Sequence, residues 1–202
     1  MKILVIGATG TIGDPVAQAL EVRHEVLRAS HTRSGLTVDL ADPESIKRLY
    51  AKCGRVDAVV SVAGQAAFRP LLALTDSDFA LGLTNKLMGQ INLVRFGVDN
   101  LTDGGSFTLT SGILSRQPMP GGAAISPVNA GIEGFARAAA IELPRGLRIN
   151  AVSPGWVTET LIAFKMDPGI GIPARQVAQT YVAAVEGNMT GQVLEIASGS
   201  PA

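Results

Sequence analysis

A single cysteine, Cys53, leaves the chain unable to form an internal disulfide, and no grouping of Cys, His and carboxylate residues has metal-ligand spacing, so no metal site is expected. Charge of one sign is equally scarce, with 17 basic side chains against 17 acidic ones. Without a surplus of cations nothing would neutralise a phosphate backbone, and nucleic acid is not an expected partner. No apolar run approaches the roughly 20 residues that a bilayer span requires. The apolar opening Lys2-Ile3-Leu4-Val5-Ile6 stops at Gly7 and enters a glycine-rich turn, which reads as a buried strand and not as a signal peptide. A soluble, cytoplasmic protein with no membrane partner is expected. Repeats, low-complexity tracts and linkers are missing too, so residues 1–202 are expected to form one domain.

What the chain does have is alternation. Short β-rich runs at 2–6, 25–29, 37–39, 58–61, 106–110, 148–152 and 193–196 are separated by helical patterns over 12–21, 43–53, 76–101, 127–143 and 174–185. That order is the signature of βαβ units and a parallel sheet. Several of the strands are apolar throughout, as strands covered on both faces must be. The expected fold is α/β: a single doubly wound parallel sheet of about seven strands with helices on both faces. Asp42-Pro43-Glu44 and Ser126-Pro127 each place a capping side chain before a proline, whose missing N–H is harmless at the first helical position.

Directly after the first strand comes Gly7-Ala8-Thr9-Gly10-Thr11-Ile12-Gly13, which opens the first helix. Small residues at 7, 10 and 13 let a diphosphate approach the backbone, and the helix N-terminus favours the anion. An ordinary tight strand-to-helix turn would have similar glycines. The second strand ends in Arg28-Ala29-Ser30-His31-Thr32-Arg33, where a protein preferring NAD would supply a carboxylate to the ribose hydroxyls. Arg33 or Arg28 would pair an anionic 2′-phosphate, and Ser30, His31 and Thr32 would hydrogen-bond it, which favours NADP(H). The alternative is a solvated basic loop. The connection to the next strand is too short for a crossover helix, which takes about a dozen residues or more.

From these blocks onward the chain resembles the short-chain dehydrogenase/reductase family over nearly its whole length. Val38-Asp39-Leu40 is similar to the family's adenine-contacting Asp-hydrophobic pair, and Ser61-Val62-Ala63-Gly64 to its Asn-Asn-Ala-Gly turn. Asn150-Ala151-Val152-Ser153-Pro154-Gly155-Trp156-Val157 resembles the segment whose backbone faces the nicotinamide, and Thr190-Gly191-Gln192-Val193-Leu194 the last strand. The resemblance implies a Rossmann-type sheet and cofactor contacts at Asp39, Leu40, Val62, Ala63, Gly64, Pro154, Gly155 and Val157. It also implies that the Ala-rich helix from Ala130 to Ala140 serves in a homodimer or homotetramer, although the same alanines could pack on the chain's own sheet.

The family's proton-transfer residues are where this chain departs. Matching Asn129-Ala130-Gly131-Ile132-Glu133-Gly134 to the family's Lys-Ala-Ala-x-Glu-Gly puts Asn129 at the lysine and Ile125 at the tyrosine. Only Tyr50 and Tyr181 exist, both far away in sequence, and Gly112 stands at the usual serine, with Ser111 before it. Matching Lys86-Leu87-Met88-Gly89 to Asn-x-x-Gly puts Lys86 at the asparagine. Lysine and asparagine have changed places, and the ammonium could return to nearly the same point from the opposite wall, oriented by Asn129. Lys86 could otherwise be a surface lysine. Arg69 is either a cleft cation or a loop residue, and His24 is expected to be structural.

The expected activity is an NADP(H)-dependent oxidoreductase acting on a small carbonyl or alcohol, with Lys86 and a hydroxyl from Ser111 or Ser126 polarising the oxygen. The competing expectation is a non-catalytic NADP(H) sensor or scaffold, favoured by Ile125 and Asn129. A Ser-Lys hydrolase using Ser111 and Lys86 would lack the Gly-x-Ser-x-Gly turn.

Overall fold

A computed structural model describes residues 1–196; the last six residues of the expected domain lie outside them. The chain runs β1 (Lys2–Ile6), α1 (Gly13–Glu21), β2 (Glu25–Ser30), β3 (Leu36–Thr37), α2 (Pro43–Cys53), β4 (Val56–Ser61), α3 (Asp76–Leu81) and α4 (Gly89–Gly97). It continues through β5 (Leu101–Thr110), α5 (Ile125–Glu142), β6 (Arg148–Pro154), α6 (Thr158–Ala163), α7 (Ala174–Glu186) and β7 (Val193–Ile196). All seven strands are parallel, in the order β3-β2-β1-β4-β5-β6-β7. From β1 the chain winds outward to β3, then returns to β4 on β1's other side. The switch point, where such sheets bind ligands, therefore lies at the carboxyl ends of β1 and β4.

Each face of the sheet buries its own core. Ile46 and Leu49 of α2, Leu93 of α4 and Ile132 and Ala136 of α5 pack with Leu4, Val59, Phe107 and Leu109. On the opposite face Val16 and Leu20 of α1 and Val177 and Tyr181 of α7 pack with Ile3, Val5 and Val60. The alternation of Ile3, Leu4 and Val5 between the two clusters explains why β1 is apolar from Ile3 to Ile6. No helix among the described residues is long and apolar enough to cross a membrane.

Several boundaries moved, three of them around the cleft. The stretch 76–101 is not one helix: α3 gives way to a π-helical turn, Gly82–Met88, before α4, and Leu101 already belongs to β5. The Thr84 hydroxyl donates to the Ala80 carbonyl at 2.7 Å, a side-chain bond that competes with the helical ladder. Second, α5 starts at Ile125 with Ala124 as its cap residue, so Ser126 caps nothing. Asp42, by contrast, accepts from the Glu44 amide at 2.9 Å with Pro43 in the first turn, as its sequence implied. Third, the stretch after β6 folds as α6, and Val157 bridges to Ile172.

Helices α2 and α4 meet closely because Gly97 has no side chain: a Cβ there would strike the hydroxyl of Tyr50, which donates to the Leu93 carbonyl at 2.6 Å. Gly97→Ala is expected to cost about 1–3 kcal/mol and to lower the melting midpoint by at least about 2 °C. A thermal melt coinciding with wild type would mean that Tyr50 can retreat without loss.

Candidate active site

At the end of β1 the glycine turn is built by its own backbone. The Gly7 and Ala8 amides both donate to the Ala29 carbonyl (2.9 and 3.1 Å), and the Gly10 amide donates to the Gly7 carbonyl at 2.9 Å. Gly7 has a φ of +83°, and a Cβ on Gly13 would collide with the Gly7 carbonyl, so the turn closes only with glycine at both positions. Among the described residues the amides of Thr9, Thr11, Ile12 and Gly13 make no backbone hydrogen bond. These four free donors at the start of α1 suit a diphosphate.

Two clefts open on either side of this turn. One, of about 350 Å³, is lined by Gly7, Ser30, His31, Asp39, Leu40, Ala63 and Gly64, and so gathers residues expected around an adenosine. Beyond it the Ser30 hydroxyl accepts from the Arg33 amide at 2.8 Å and lies 3.0 Å from Ser34 Oγ, which holds the 31–34 turn in shape with His31, Thr32 and Arg33 exposed. Arg28 is not part of that group. Its guanidinium is bidentate on Glu21 (2.7 and 2.9 Å) and reaches Asp14 at 2.7 Å, because strand alternation turns it toward α1. Those two carboxylates hold it above its ordinary pKa and leave Arg33 as the available cation.

The second cleft, of about 330 Å³, is lined by Ile12, Val62, Ala63, Gly64, Lys86, Ser111, Gly112, Ile125, Asn129, Pro154, Gly155 and Val157, together with Phe68, Trp156 and Phe164. Lys86 and Asn129, 43 residues apart, meet there: the ammonium donates to Asn129 Oδ1 at 2.7 Å and to the Ser111 carbonyl at 3.1 Å. Asn129 Nδ2 donates onward to the Gly112 carbonyl at 3.3 Å, which fixes which way its amide points. Lys86 is buried, 8% exposed, and sits in the π-helical turn. Gly64, with a φ of +140°, packs on it so closely that a Cβ would lie 2.5 Å from Lys86 Cγ. Asn85 accepts from the Gln65 amide at 2.8 Å and ties the loop after β4 to the same turn. Burial pushes the Lys86 ammonium down to about 8.

Neither serine presents a hydroxyl as expected. Ser111 Oγ donates its only proton to Glu133 Oε1 at 3.0 Å, so the cleft meets Lys86 on the Ser111 carbonyl instead. Ser126 Oγ is buried with no partner among the described residues. Glu133, one turn beyond Asn129 on α5, also receives Ser115 Oγ at 2.7 Å, Arg116 Nη1 at 3.1 Å and Ser153 Oγ at 3.3 Å. No group of three metal-ligating side chains occurs among the described residues.

A family model described as enoyl-(acyl carrier protein) reductase matches residues 8–197. The chain belongs to the short-chain dehydrogenase/reductase family. The protein lin1944 from Listeria innocua superimposes with a TM-score of 0.94 at 43% identity, over 97% of this chain and 99% of that one. A small-chain dehydrogenase in complex with NADPH superimposes with a TM-score of 0.87 at 27% identity, over 98% of this chain and 97% of that one. Hydroxynaphthalene reductase arp2 of Aspergillus fumigatus is 30% identical over 150 residues, 72% of this chain and 55% of the relative, so the match spans about half of that protein.

Within this short-chain dehydrogenase/reductase neither tyrosine lines the cleft. Tyr181 is fully buried with its hydroxyl 2.7 Å from Thr110 Oγ1, and burial drives both phenols well above their usual pKa. Arg69 pairs with Asp78 at 3.5 Å on the surface, and His24 Nε2 meets Glu186 at 2.9 Å, a structural role. Sequence reasoning gave no role to Glu133, although a carboxylate in the middle of an Ala-rich helix, four residues after Asn129, was its signal. It also overlooked the apolar wall of Phe68, Trp156 and Phe164, which has no motif.

Because the folded chain releases the Lys86 proton near pH 8 while the unfolded chain keeps it to the ordinary 10.5, the unfolded state binds more protons between those values. Stability therefore rises with pH across that window and is lost as pH falls back through 8. Relative to Lys86→Met, the wild-type unfolding free energy is expected to gain on the order of 3 kcal/mol across the window. Denaturant titrations giving parallel curves for the two proteins would refute the burial of a titrating amine.

Proposed function

We propose that this chain is an NADP(H)-dependent oxidoreductase acting on a small carbonyl or alcohol, with Lys86 as the group that meets the substrate oxygen. The observation carrying the reading is the count of Lys86 donors. An ammonium has three N–H bonds, two are spent on Asn129 and Ser111, and the third is left for a ligand in the cleft.

The free amides of Thr9, Thr11, Ile12 and Gly13 would hold the diphosphate, and Asp39, Leu40 and the 62–64 turn would flank the adenosine. Arg33, with Ser30, His31 and Thr32, would take the 2′-phosphate, and Pro154, Gly155 and Val157 would border the nicotinamide. The NADPH complex of a structural relative supports this choice of cofactor, and the reductase name of a curated relative supports a carbonyl substrate. When bound, the reduced cofactor supplies a hydride. Lys86 then donates its third N–H to the carbonyl oxygen and stabilises the charge that develops there, and its ammonium can pass on the proton that the family's tyrosine would give. Asn129 holds the amine in place, while Ile125 keeps that wall dry. Cytoplasmic location and a homodimer or homotetramer belong to the same reading. Ala130, Gly134 and Ala138 form an exposed small-residue stripe on α5, with the exposed Ile141 beyond it, suited to a second copy.

A non-catalytic NADP(H) sensor or scaffold is the second reading, favoured by the apolar Ile125 at the tyrosine position. Absorbance of NADPH with a panel of carbonyl compounds separates the two. Turnover is expected, falling as pH rises through about 8, and Lys86→Met is expected to lower kcat/KM by about 10²–10⁴-fold. Intact NADPH binding without oxidation by any carbonyl would leave the sensor. Separately, Arg33→Glu is expected to weaken NADPH roughly tenfold or more while NADH changes little, and equal losses for both would remove Arg33 from the phosphate site.

A further inference from the structure

The half of the second cleft that lies beyond the expected nicotinamide is apolar to an unusual degree for this chain. Aromatic residues are scarce, one Trp, two Tyr and six Phe, yet the Trp and two of the Phe line this cleft. Trp156 and Phe68 meet edge to face, ring centroids 6.3 Å apart and planes at 87°. They come from different loops, and each is held. The Arg69 amide donates to the Gly121 carbonyl at 3.0 Å, and the Phe68 ring lies over Gly121 so closely that a Cβ there would sit 3.1 Å from it. Trp156 is fixed by the Ile172 amide, which donates to its carbonyl at 2.8 Å. Ile113, Leu114 and Ile125 complete the wall, and among the described residues Lys86 is the only charged side chain in the lining.

We propose that this half of the cleft takes a neutral aryl ketone, or the corresponding secondary alcohol, with its ring against the Phe68–Trp156 pair and its oxygen on Lys86. The inference rests on the oxidoreductase reading. A flat ring adds a third member to an edge-to-face pair and gains both area and quadrupole contact, which an aliphatic chain of equal size lacks. A substrate carrying a carboxylate would bring a charge into a wall whose one cation is already committed to two acceptors and the reacting oxygen. The volume, about 330 Å³ for the whole cleft, falls at the small end of ligand pockets, about 300–1,000 Å³. A single ring system fits beside a nicotinamide, and a long acyl chain does not.

Because Trp156 is the only tryptophan, its fluorescence reports occupancy without turnover. Protein saturated with NADP⁺ is titrated with acetophenone, butanone and pyruvate. Acetophenone is expected to quench saturably with a Kd at least about tenfold below the other two, and Phe68→Ala, at an exposed position, is expected to weaken it roughly three- to tenfold. Phe68→Leu keeps an apolar wall and is expected to lose nearly as much. Butanone or pyruvate binding as tightly as acetophenone, or unchanged affinity in both folded variants, overturns the aryl site. If NADPH binds and some other carbonyl is reduced in preference, the aryl site falls while the oxidoreductase reading stands. If acetophenone binds as expected but neither it nor any other carbonyl is reduced, the site stands and the reading falls.

Discussion

The ammonium of Lys86 is buried without a carboxylate beside it, and much of the architecture around the cleft can be understood as the set of conditions that make this tolerable. A desolvated cation costs several kcal/mol unless neutral acceptors surround it. Here they come from two elements: Oδ1 of Asn129 on α5 and the carbonyl of Ser111 just past β5. A third element, the turn after β4, contributes the space that Gly64 leaves open. The π-helical turn widens the helix at the lysine, a distortion frequent at functional sites. Four separate stretches of chain are thus tied together by one charge, and loss of either acceptor would leave a buried donor unmet.

Ser111 keeps this charge apart from its natural partner. Its carbonyl faces Lys86 while its hydroxyl serves Glu133, the buried carboxylate that also gathers Ser115, Ser153 and Arg116. Had Lys86 and Glu133 formed an ion pair, the pair would hold the amine fully protonated and raise its pKa. Instead the acid is neutralised by Arg116 on its own side, and the amine stands with neutral neighbours only. The separation leaves burial as the cause of the Lys86 shift.

Much of the fold was legible because it follows from local chemistry. Strands buried on both faces must be apolar throughout, as Ile3-Leu4-Val5-Ile6 is, and the glycines at 7 and 13 mark a strand-to-helix turn that closes only without side chains there. The pairing of Lys86 with Asn129 was legible only as an exchange between two positions of a family pattern, since nothing in the local sequence relates residues 43 apart. What escaped was set by contacts at a distance. Arg28 and Arg33 look alike in a basic run, and only the pleat of β2 turns Arg28 to Asp14 and Glu21. The 76–101 stretch reads as one helix, while Gly82, Gly89 and Gly97 mark where Val128, Leu40 and Tyr50 press against it. The Ser111 hydroxyl was counted toward the cleft because its rotamer depends on a carboxylate 22 residues later.

The buried amine also weighs on the choice between enzyme and sensor. A protein that only held a dinucleotide would need the free amides of α1 and the basic turn after β2, both of which lie away from Lys86. It would gain nothing from an ammonium whose desolvation opposes folding below about pH 8. A methionine or leucine at that position would fill the same volume beside Gly64 at no electrostatic cost. A destabilising cation kept in an aromatic-walled cleft fits the proposed role in transition-state stabilisation, because a charge held in place before reaction needs little solvent reorganisation when the oxygen turns anionic.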